Sequence, residues 1–383
     1  MSKKGALRLE YLDGLRALAA TYVVLFHAGL GFTTAALPSW AKNVARTLSF
    51  GHDAVAVFIV LSGYCLMLPV ARAEGQITRG IPSYFARRAW RILPPYFATL
   101  FGSLLLLALV PALQAQTGTI WDDTSPAFEL GPIVSHLFLV HNLFPAWAQR
   151  IDGPLWSVAT EWQIYFFFPF LLVPIWRRFG ALVTLLLAFG TGCALVWIVP
   201  SAARTACAWY LGLFALGMCA AGINFASRPF ERTLRERGPW GLVTLGLLAA
   251  VGVGVTVLIK RWFLFMPYSD SLVGIATASA LLHLTRQALK PASAPRPLVL
   301  RVLESAPLVG LGRFSYSLYL THLPVVALGF FGLRRLALAP GTAWLALLAW
   351  SLPVSLLTAY AFYLVFERRF VGGPPISFGK SRA

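Results

Sequence analysis

Long runs of apolar residues dominate this chain and restrict the folds open to it. Ten such runs can be read along the 383 residues, each close to the length of about 17–25 residues at which an α-helix crosses a bilayer. They lie near 15–32, 54–71, 94–113, 155–175, 180–199, 205–224, 240–259, 268–285, 314–333 and 342–366. Charged residues make up 12% of the chain, against about 25% in soluble domains. We therefore predict an all-α, polytopic helix bundle of ten spans in the inner (plasma) membrane.

Basic residues are unevenly distributed between the segments that join these runs. The net charge of +18 would suit a nucleic-acid partner, but with the N-terminus inside, 23 of the 32 Lys and Arg residues fall in inner segments and eight in outer ones. This bias is typical of polytopic membrane proteins, whose basic surfaces meet anionic lipid headgroups. We predict that both termini are cytoplasmic, that membrane lipids are partners and that nucleic acid is not. One transmembrane domain over 1–370 and a cytoplasmic tail over 371–383 are expected.

Two polar residues interrupt the first apolar run, LRALAATYVVLFHAGL. Arg16 and His27 are 11 positions apart, so on an α-helix they lie within about 20° of one face and about 16 Å apart along the axis. A charged residue inside a bilayer costs at least about 2.5–3.5 kcal/mol, so it is seldom kept without a partner or a task. The pair predicts a polar path into the membrane, with a titratable imidazole along it.

Four local motifs follow one another along the chain. They are YLDGLRALAATYVVLFH at 11–27, FIVLSGY at 58–64 followed by YFARRAWRILPPY at 84–96, LWSVATEWQIYFFFP at 155–169 and GRFSYSLYLTHLPV at 312–325. In this order the chain resembles the acyltransferase 3 family of integral membrane acyltransferases, over 8–370. The resemblance implies transfer of an acyl group, often acetyl, from cytoplasmic acyl-coenzyme A to an extracytoplasmic carbohydrate or glycoside acceptor, commonly at a sugar hydroxyl. Acetyl-coenzyme A is then the expected donor, and no permanently bound cofactor or metal is expected.

The resemblance also assigns functional positions, residue by residue. They are Arg16 and His27 in the first motif, Arg88 and Arg91 with their neighbour Arg87 in the second, Glu161 in the third, and Ser315, Tyr316, Tyr319 and His322 in the fourth. Trp156 flanks Glu161 and is expected to contact substrate. The chain departs from the family at Ala56, where many members carry an acid, and at Glu367-Arg368-Arg369, where the family often reads Glu-x-Pro. With no room in 383 residues for the extra extracytoplasmic domain of some members, the acceptor is expected to be acylated directly or by a separate partner.

Acyl transfer from a thioester to an alcohol requires a base for the hydroxyl proton and a cation or donor for the oxyanion. Histidine, with a reference pKa of about 6.5, is the natural base. Helix positions place His27 and Glu161 at similar depth, so a carboxylate supporting the imidazolium is expected, as in a catalytic triad. Paired guanidinium groups suit the phosphates of coenzyme A. The predicted catalytic residues are His27, Glu161 and Arg16, the donor-binding residues Arg87, Arg88 and Arg91, and the substrate-binding residues Ser315, Tyr316, Tyr319, His322 and Trp156.

Other interpretations stay open. The two helix histidines could be hydrogen-bonding packing residues, Glu161 part of a structural ion pair, and the arginines headgroup anchors. The alternative function is a transporter or flippase of a glycan, lipid or acyl donor, although the internal repeats common in transporters are not visible. An acyltransferase of a different membrane family, acting on lipids through a buried histidine, is a third.

The remaining polar residues receive structural assignments. The four cysteines all fall inside predicted spans and are expected as small packing residues, not as a disulfide framework or metal site. His136 and His141 are expected on the outer surface. Ser62 and Gly63 form a small-residue pair that would let two helices approach closely.

Overall fold

The computed structural model describes residues 7–31, 36–125, 127–258, 262–291 and 293–371, and regular structure within these ranges is helical throughout. The α-helices are α1 (Tyr11–Gly29), α2 (Ser39–Thr47), α3 (Gly51–Arg72), α4 (Gly80–Leu109), α5 (Leu130–Leu137), α6 (Leu155–Phe167), α7 (Val173–Ile198), α8 (Pro200–Thr205), α9 (Tyr210–Phe225), α10 (Pro229–Arg237), α11 (Trp240–Leu258), α12 (Trp262–Ala288), α13 (Leu298–Leu303), α14 (Ala306–Gly312), α15 (Ser315–Arg334) and α16 (Pro340–Phe362). Short 3₁₀ turns lie at Pro111–Gln114, Ile120–Thr124, His141–Leu143 and Arg368–Phe370. The all-α prediction is confirmed.

Five helical segments of the described chain are long and apolar enough to cross a membrane. They are Ser39–Arg72, Gly80–Leu109, Leu155–Ile198, Ser315–Arg334 and Pro340–Phe370, and α9 with α10, bent by 91°, makes a sixth if counted as one span. The membrane character is confirmed, whereas ten spans and cytoplasmic termini are not, although each predicted run overlaps a described helix. Helix α1 is not among the five because Asp13, Arg16 and His27 lower its mean hydropathy. The predicted tail lies outside the described residues beyond Val371.

The continuous helical segment from α6 to α7 changes geometry twice. The first change is a π-helical turn at Phe168–Leu172 that joins the two helices, and the second is a break at Gly180. A separate π-turn, Tyr363–Glu367, follows α16. Pro169 lies in the first π-turn and has no N–H for the regular helical bond. At Gly180 the backbone takes a φ of 80°, which residues with a Cβ rarely adopt, and the helix breaks. The break lies at the first residue of the predicted run 180–199, directly after the gap that separates it from the run 155–175.

Helices α3 and α9 make the closest helix pair around the site. A Cβ on Gly63 would lie 2.0 Å from the carbonyl oxygen of Phe214, and one on Gly217 would lie 1.8 Å from that of Val60. Only glycine allows backbones to approach so closely, as the Ser62–Gly63 pair predicted. This contact fixes α3 in the centre of the bundle, where one of its faces lines the site.

The segment between α4 and α6 buries the two histidines that were expected on the surface. His136 and His141 have no exposed area, and their rings stack with centroids 3.7 Å apart. Burial lowers the pKa of His136 to about 4 and that of His141 well below its usual value, so both favour the neutral form. Asp152 is also buried, accepts a hydrogen bond from the hydroxyl of Ser103 at 3.1 Å, and has a pKa that burial raises to about 8. The expected surface position was wrong because the segment folds back against the bundle.

Candidate active site

Helices α1, α3, α4, α6 and α15 surround a cavity of about 650 Å³. It opens at the mostly exposed segment 76–79 between α3 and α4, and it closes at the buried side chains of Val55, Ser157 and Tyr319. Eight of the eleven predicted site residues line it: Arg16, Arg87, Arg88, Arg91, Glu161, Ser315, Tyr316 and Tyr319. The other three, His27, His322 and Trp156, are not among its described lining residues and lie close to the closed end, as shown below.

Positive charge dominates the cavity lining. Five guanidinium groups accompany one carboxylate, that of Glu161, among the described lining residues. Arg88 and Arg91 are three positions apart on α4 and therefore share a face, while Arg79 comes from the preceding turn. The Nε of Arg88 is buried and has no hydrogen-bond partner among the described residues. This donor set suits an organic phosphate or carboxylate, and Arg79 is a member that the motifs did not indicate.

Glu161 is paired inside the cavity, not with the predicted histidine. The hydroxyl of Tyr165, one turn along α6, donates to Glu161 Oε1 at 2.7 Å and lies 3.2 Å from the hydroxyl of Ser62 on α3. In the described residues no hydrogen bond or ion pair joins Glu161 to His27, so the expected carboxylate–imidazole contact is not formed. The sequence contained a signal for the observed pair, because residues four positions apart face each other on a helix.

Arg16 also lines the cavity and is held by two partners. Its Nη1 lies 3.3 Å from Asp13 Oδ1, and its Nη2 donates to Cys65 Sγ at 3.1 Å. Because both Arg16 and Cys65 line the cavity, the polar path predicted for the first helix starts here.

His27 and His322 form a hydrogen-bonded pair. His322 Nδ1 lies 2.7 Å from the carbonyl oxygen of Tyr319, so this nitrogen carries the hydrogen and Nε2 of the neutral ring is an acceptor. That Nε2 lies 3.1 Å from His27 Nδ1, which therefore donates to it and also approaches the carbonyl of Val23 at 3.0 Å. The lone pair of neutral His27 is consequently on Nε2. The orienting partner of His27 is a second histidine, where the sequence predicted a carboxylate.

The start of α15 is held in place by Glu367, to which the sequence assigned no role. Its buried carboxylate accepts hydrogen bonds from the backbone N–H of Ser317 at 3.1 Å and from the Ser317 hydroxyl at 2.5 Å, as suits an acid at a helix N-terminus. Tyr316 donates to a backbone carbonyl of α4 at 3.2 Å. The hydroxyl of Tyr319 lies 2.6 Å from that of Ser157 and closes the cavity. The ring centroids of Tyr319 and His322 are 5.9 Å apart, which brings the histidine pair to the closed end.

Trp156 stacks on a histidine that the motifs did not single out. It precedes Ser157 on α6, and its ring lies parallel to that of His52, with a centroid distance of 5.4 Å and an interplanar angle of 12°. His52 lies in the first turn of α3, one turn before Val55. Trp156 thus has an aromatic contact outside the described lining of the cavity, and its predicted contact with substrate stays a prediction.

Metal ligands are not grouped in the described part of the chain, where no three His, Cys, Asp or Glu side chains are placed to hold an ion. The polar groups that line the cavity include the arginines, Glu161 and the hydroxyls of Ser62, Tyr165, Ser315 and Tyr316. Their chemistry suits a large anionic organic ligand whose far end reaches the closed end of the cavity.

Comparison with known proteins agrees with this architecture. The acyltransferase domain model of the acyltransferase 3 family matches residues 9–360. The acyltransferase MdmB of Streptomyces mycarofaciens is 28% identical over 345 residues, which cover 84% of this chain and 80% of the relative. The putative peptidoglycan O-acetyltransferase YrhL of Bacillus subtilis is 26% identical over 83% of this chain and 48% of its own length. The peptidoglycan O-acetyltransferase OatA of Listeria monocytogenes is 24% identical over 83% of this chain and 49% of its own length.

The chain thus spans about half the length of the two peptidoglycan relatives and most of MdmB. No solved structure matches it. The family model covers almost all of the described helices, and several of these helices are long and apolar enough to cross a membrane. The chain therefore belongs to the acyltransferase 3 family and is a membrane O-acyltransferase.

Proposed function

We propose that this protein moves an acyl group, acetyl in the first instance, from cytoplasmic acyl-coenzyme A to a hydroxyl of an extracytoplasmic glycan or glycosylated small molecule. The observation that carries the proposal is the cavity that begins with guanidinium groups and ends beside a histidine pair. The names of the peptidoglycan relatives favour acetyl as the group and a carbohydrate as the acceptor. We place the protein in the inner (plasma) membrane, with segment 76–79 and both termini in the cytoplasm, because the basic segments predict this orientation.

The donor would enter through the arginine-lined opening. Coenzyme A carries its phosphates at one end and the acyl thioester at the other, so it needs cations at the mouth and an uncharged far end. Arg79, Arg88 and Arg91 would hold the phosphates. The pantetheine arm would then run along α3 and bring the thioester towards Tyr319 and Ser157.

His27 is the proposed base. Its Nε2 takes the proton of the acceptor hydroxyl while the hydroxyl oxygen attacks the thioester carbonyl carbon. The carbon–sulfur bond breaks, and the leaving thiolate recovers that proton from His27. His322 accepts a hydrogen bond from His27 Nδ1, which maintains the required tautomer and supports the imidazolium. Glu161 and Arg16, which lie in the cavity, would act on the donor side of the reaction.

Reconstitution in vesicles of known orientation tests the proposal. Radiolabelled acetyl-coenzyme A and a glycan acceptor are placed on chosen sides, and product is expected when the donor is on the side of segment 76–79 and the acceptor is opposite. A pure carrier would move label without forming an ester. Product that forms only with both substrates on the cytoplasmic side would contradict the transmembrane reaction.

The His27→Ala variant tests the base in the same vesicles. Transfer should fall by about 10²–10⁴-fold, since this is the usual contribution of a general base. His283→Ala, at a partly buried histidine on α12 that does not line the cavity, is the matched control and should retain activity. Near-normal transfer by His27→Ala would remove His27 from the mechanism. Mass spectrometry of envelope glycans and secreted glycosides from a host that lacks the gene would identify the acceptor by its lost acyl mass.

A further inference from the structure

A second imidazole centre, outside the cavity and distinct from the His27–His322 pair, lies behind Trp156. His52 Nε2 is 3.5 Å from Cys207 Sγ, and His52 Nδ1 is 3.0 Å from Asp270 Oδ1. Asp270 is fully buried, and its other oxygen accepts a hydrogen bond from the indole of Trp209 at 2.8 Å. A thiol, an imidazole and a carboxylate are therefore joined in that order through opposite nitrogens of one ring, which is the arrangement that activates a nucleophilic cysteine.

The backbone at Cys207 is unusual for a residue that only packs. Cys207 lies in the turn between α8 and α9 with a φ of 51°, in the left-handed region that residues with a Cβ seldom enter. Strained positions of this kind persist where the surrounding structure maintains them, and they cluster at functional sites. The three side chains come from α3, from this turn and from α12, so the cluster depends on tertiary packing.

The cluster is one side-chain layer away from the closed end of the cavity. His52 precedes the lining residue Val55 by one turn, and its stacking partner Trp156 immediately precedes the lining residue Ser157. Tyr319, hydrogen-bonded to Ser157, is in contact with the ring of His322. His322 therefore contacts one lining residue of the closed end, Tyr319, and His52 stacks on the chain neighbour of another, Ser157.

We propose that Cys207 accepts the acyl group from the donor and holds it as a thioester until the acceptor takes it. This inference rests on the proposed function. In the first half-reaction His52 takes the thiol proton, Cys207 Sγ attacks the donor carbonyl carbon, and the coenzyme A thiolate leaves and receives that proton. In the second, the acceptor hydroxyl attacks the acyl-cysteine, His27 takes the hydroxyl proton, and the Cys207 thiolate is released and reprotonated by His27. No other reactant is needed, and the first half-reaction exchanges one thioester for another.

Two half-reactions explain why two imidazole centres, the His27–His322 pair and the His52 cluster, lie near the closed end. Covalent catalysis divides one difficult transfer into two easier ones, and each would have its own base. Asp270 is a positioning residue in this scheme, because its carboxylate orients His52 and supports the imidazolium that forms. Trp156 must move for the donor to reach Cys207, because its ring stacks on His52 and the cluster is not among the described lining residues of the cavity.

Acyl-enzyme trapping tests the relay. The full chain in detergent is incubated with radiolabelled acetyl-coenzyme A without acceptor, denatured and separated, and the label is mapped by peptide mass spectrometry. Wild type should carry label on Cys207 that neutral hydroxylamine removes. His27→Ala should carry at least as much, because it can load the cysteine but not discharge it, whereas Cys207→Ala should carry none and should lose transfer by at least 10²-fold. Asp270→Asn should load more slowly and change the pH dependence of loading.

Control variants separate the relay from folding and from the proposed function. Cys219→Ala, at another buried cysteine, should keep both label and transfer. Cys207→Ser can still hydrogen-bond to His52, and it should bind coenzyme A like wild type without forming hydroxylamine-labile label. Full transfer by Cys207→Ala, label on Cys65, or no label in wild type and His27→Ala would overturn the relay while leaving acyl-coenzyme A-dependent transfer intact. Absence of any transfer from acyl-coenzyme A by wild type would overturn the proposed function as well.

Discussion

The open and closed ends of the cavity differ in charge, in exposure and in how completely their polar atoms are paired. At the open end, Arg79 is exposed and the Nε of Arg88 has no partner among the described residues. At the closed end, the side chains of Tyr319, Ser157 and His322 are buried and each is hydrogen-bonded. Unpaired cationic donors bind an anion without demanding one geometry, whereas a satisfied network holds its members in a single arrangement. We infer that one end holds the donor and the other orients the reacting groups.

Among the substitutions that compare the two ends, that of His322 should produce the largest change, because it removes the orientation of His27 without touching the arginines. His322→Leu should reduce transfer by about 10²-fold or more, whereas His322→Gln keeps an acceptor for His27 Nδ1 and should recover part of the activity. Steady-state kinetics should show the change in kcat, with KM for acyl-coenzyme A nearly constant. Equal activity of the two variants would contradict the tautomer derived from the hydrogen bonds, and a raised KM would contradict the division between the two ends.

Substitution at the open end should have the opposite kinetic signature. Replacing both Arg88 and Arg91 with alanine should weaken coenzyme A binding by about 10–100-fold, since a hydrogen bond to a charged group contributes about 1.5–3 kcal/mol. Arg91→Lys should have a smaller effect in the same direction, because lysine lacks the bidentate fork. Isothermal titration calorimetry on detergent-solubilised protein measures both. The control is Arg178→Ala, at an arginine of another basic segment outside this cavity, and unchanged affinity in the double variant would make Arg88 and Arg91 headgroup anchors.

The Glu161–Tyr165 pair also lines the cavity, and its substitution should have a smaller effect than substitution at either end. Glu161→Gln keeps the side-chain size and loses the charge, so donor binding should be retained and transfer should slow by about tenfold, which is about 1.4 kcal/mol. Tyr165→Phe removes the hydroxyl that joins Glu161 to Ser62 and should have a similar effect. A double-mutant cycle on kcat/KM should show coupling of about 0.5–3 kcal/mol, as for directly bonded groups. Strictly additive losses would mean that the two residues act independently.

Substitution of Asp152 should change the stability of the protein and leave the reaction unchanged. It therefore has the smallest expected effect on the comparison between the two ends of the cavity. Burial raises its pKa to about 8 from an ordinary value of 3.8, so between these pH values the folded protein retains a proton that the unfolded chain releases. The stabilising contribution of Asp152 is therefore present below about pH 4 and is lost as pH rises through about 8. Asp152→Asn cannot ionise, so at about pH 8 it should melt a few degrees above wild type.

Thermal unfolding followed by tryptophan fluorescence in detergent measures this difference, which should nearly vanish at about pH 4. The buried His136 and His141 have lowered pKa values and the opposite sign, because their contribution is lost as pH falls. Identical melting profiles of wild type and Asp152→Asn across the pH range would show that Asp152 is already solvated or ion-paired.

Much of the fold could be predicted because it depends on local patterns. Apolar runs of spanning length specify helices wherever they occur, and one such run begins at Gly180, whose backbone conformation residues with a Cβ rarely adopt. The arginines of α4 share a face because residues three positions apart do so on any helix, and the motif residues meet in one cavity. The four-residue spacing of Glu161 and Tyr165 also indicated their contact, although His27 was predicted as the partner of Glu161.

Contacts between distant residues could not be predicted in the same way. His27 meets His322 across 295 positions, and His52 meets Asp270 across 218. The sequence around one residue of such a pair does not determine how the helix of the other residue is rotated, so the contact cannot be predicted from local patterns. The burial of His136 and His141 likewise depends on how the segment between α4 and α6 folds back.

The sequence by itself determined that this chain forms apolar helices, and that one end of a polar path is rich in arginine. Hydropathy and helical periodicity are properties of neighbouring residues, so they need no knowledge of the rest of the chain. Only the tertiary structure decided which group orients His27, which residues close the cavity and which histidine lies beside Cys207. These depend on close packing of helices such as α3 and α9, where the glycines set the approach and therefore the facing side chains.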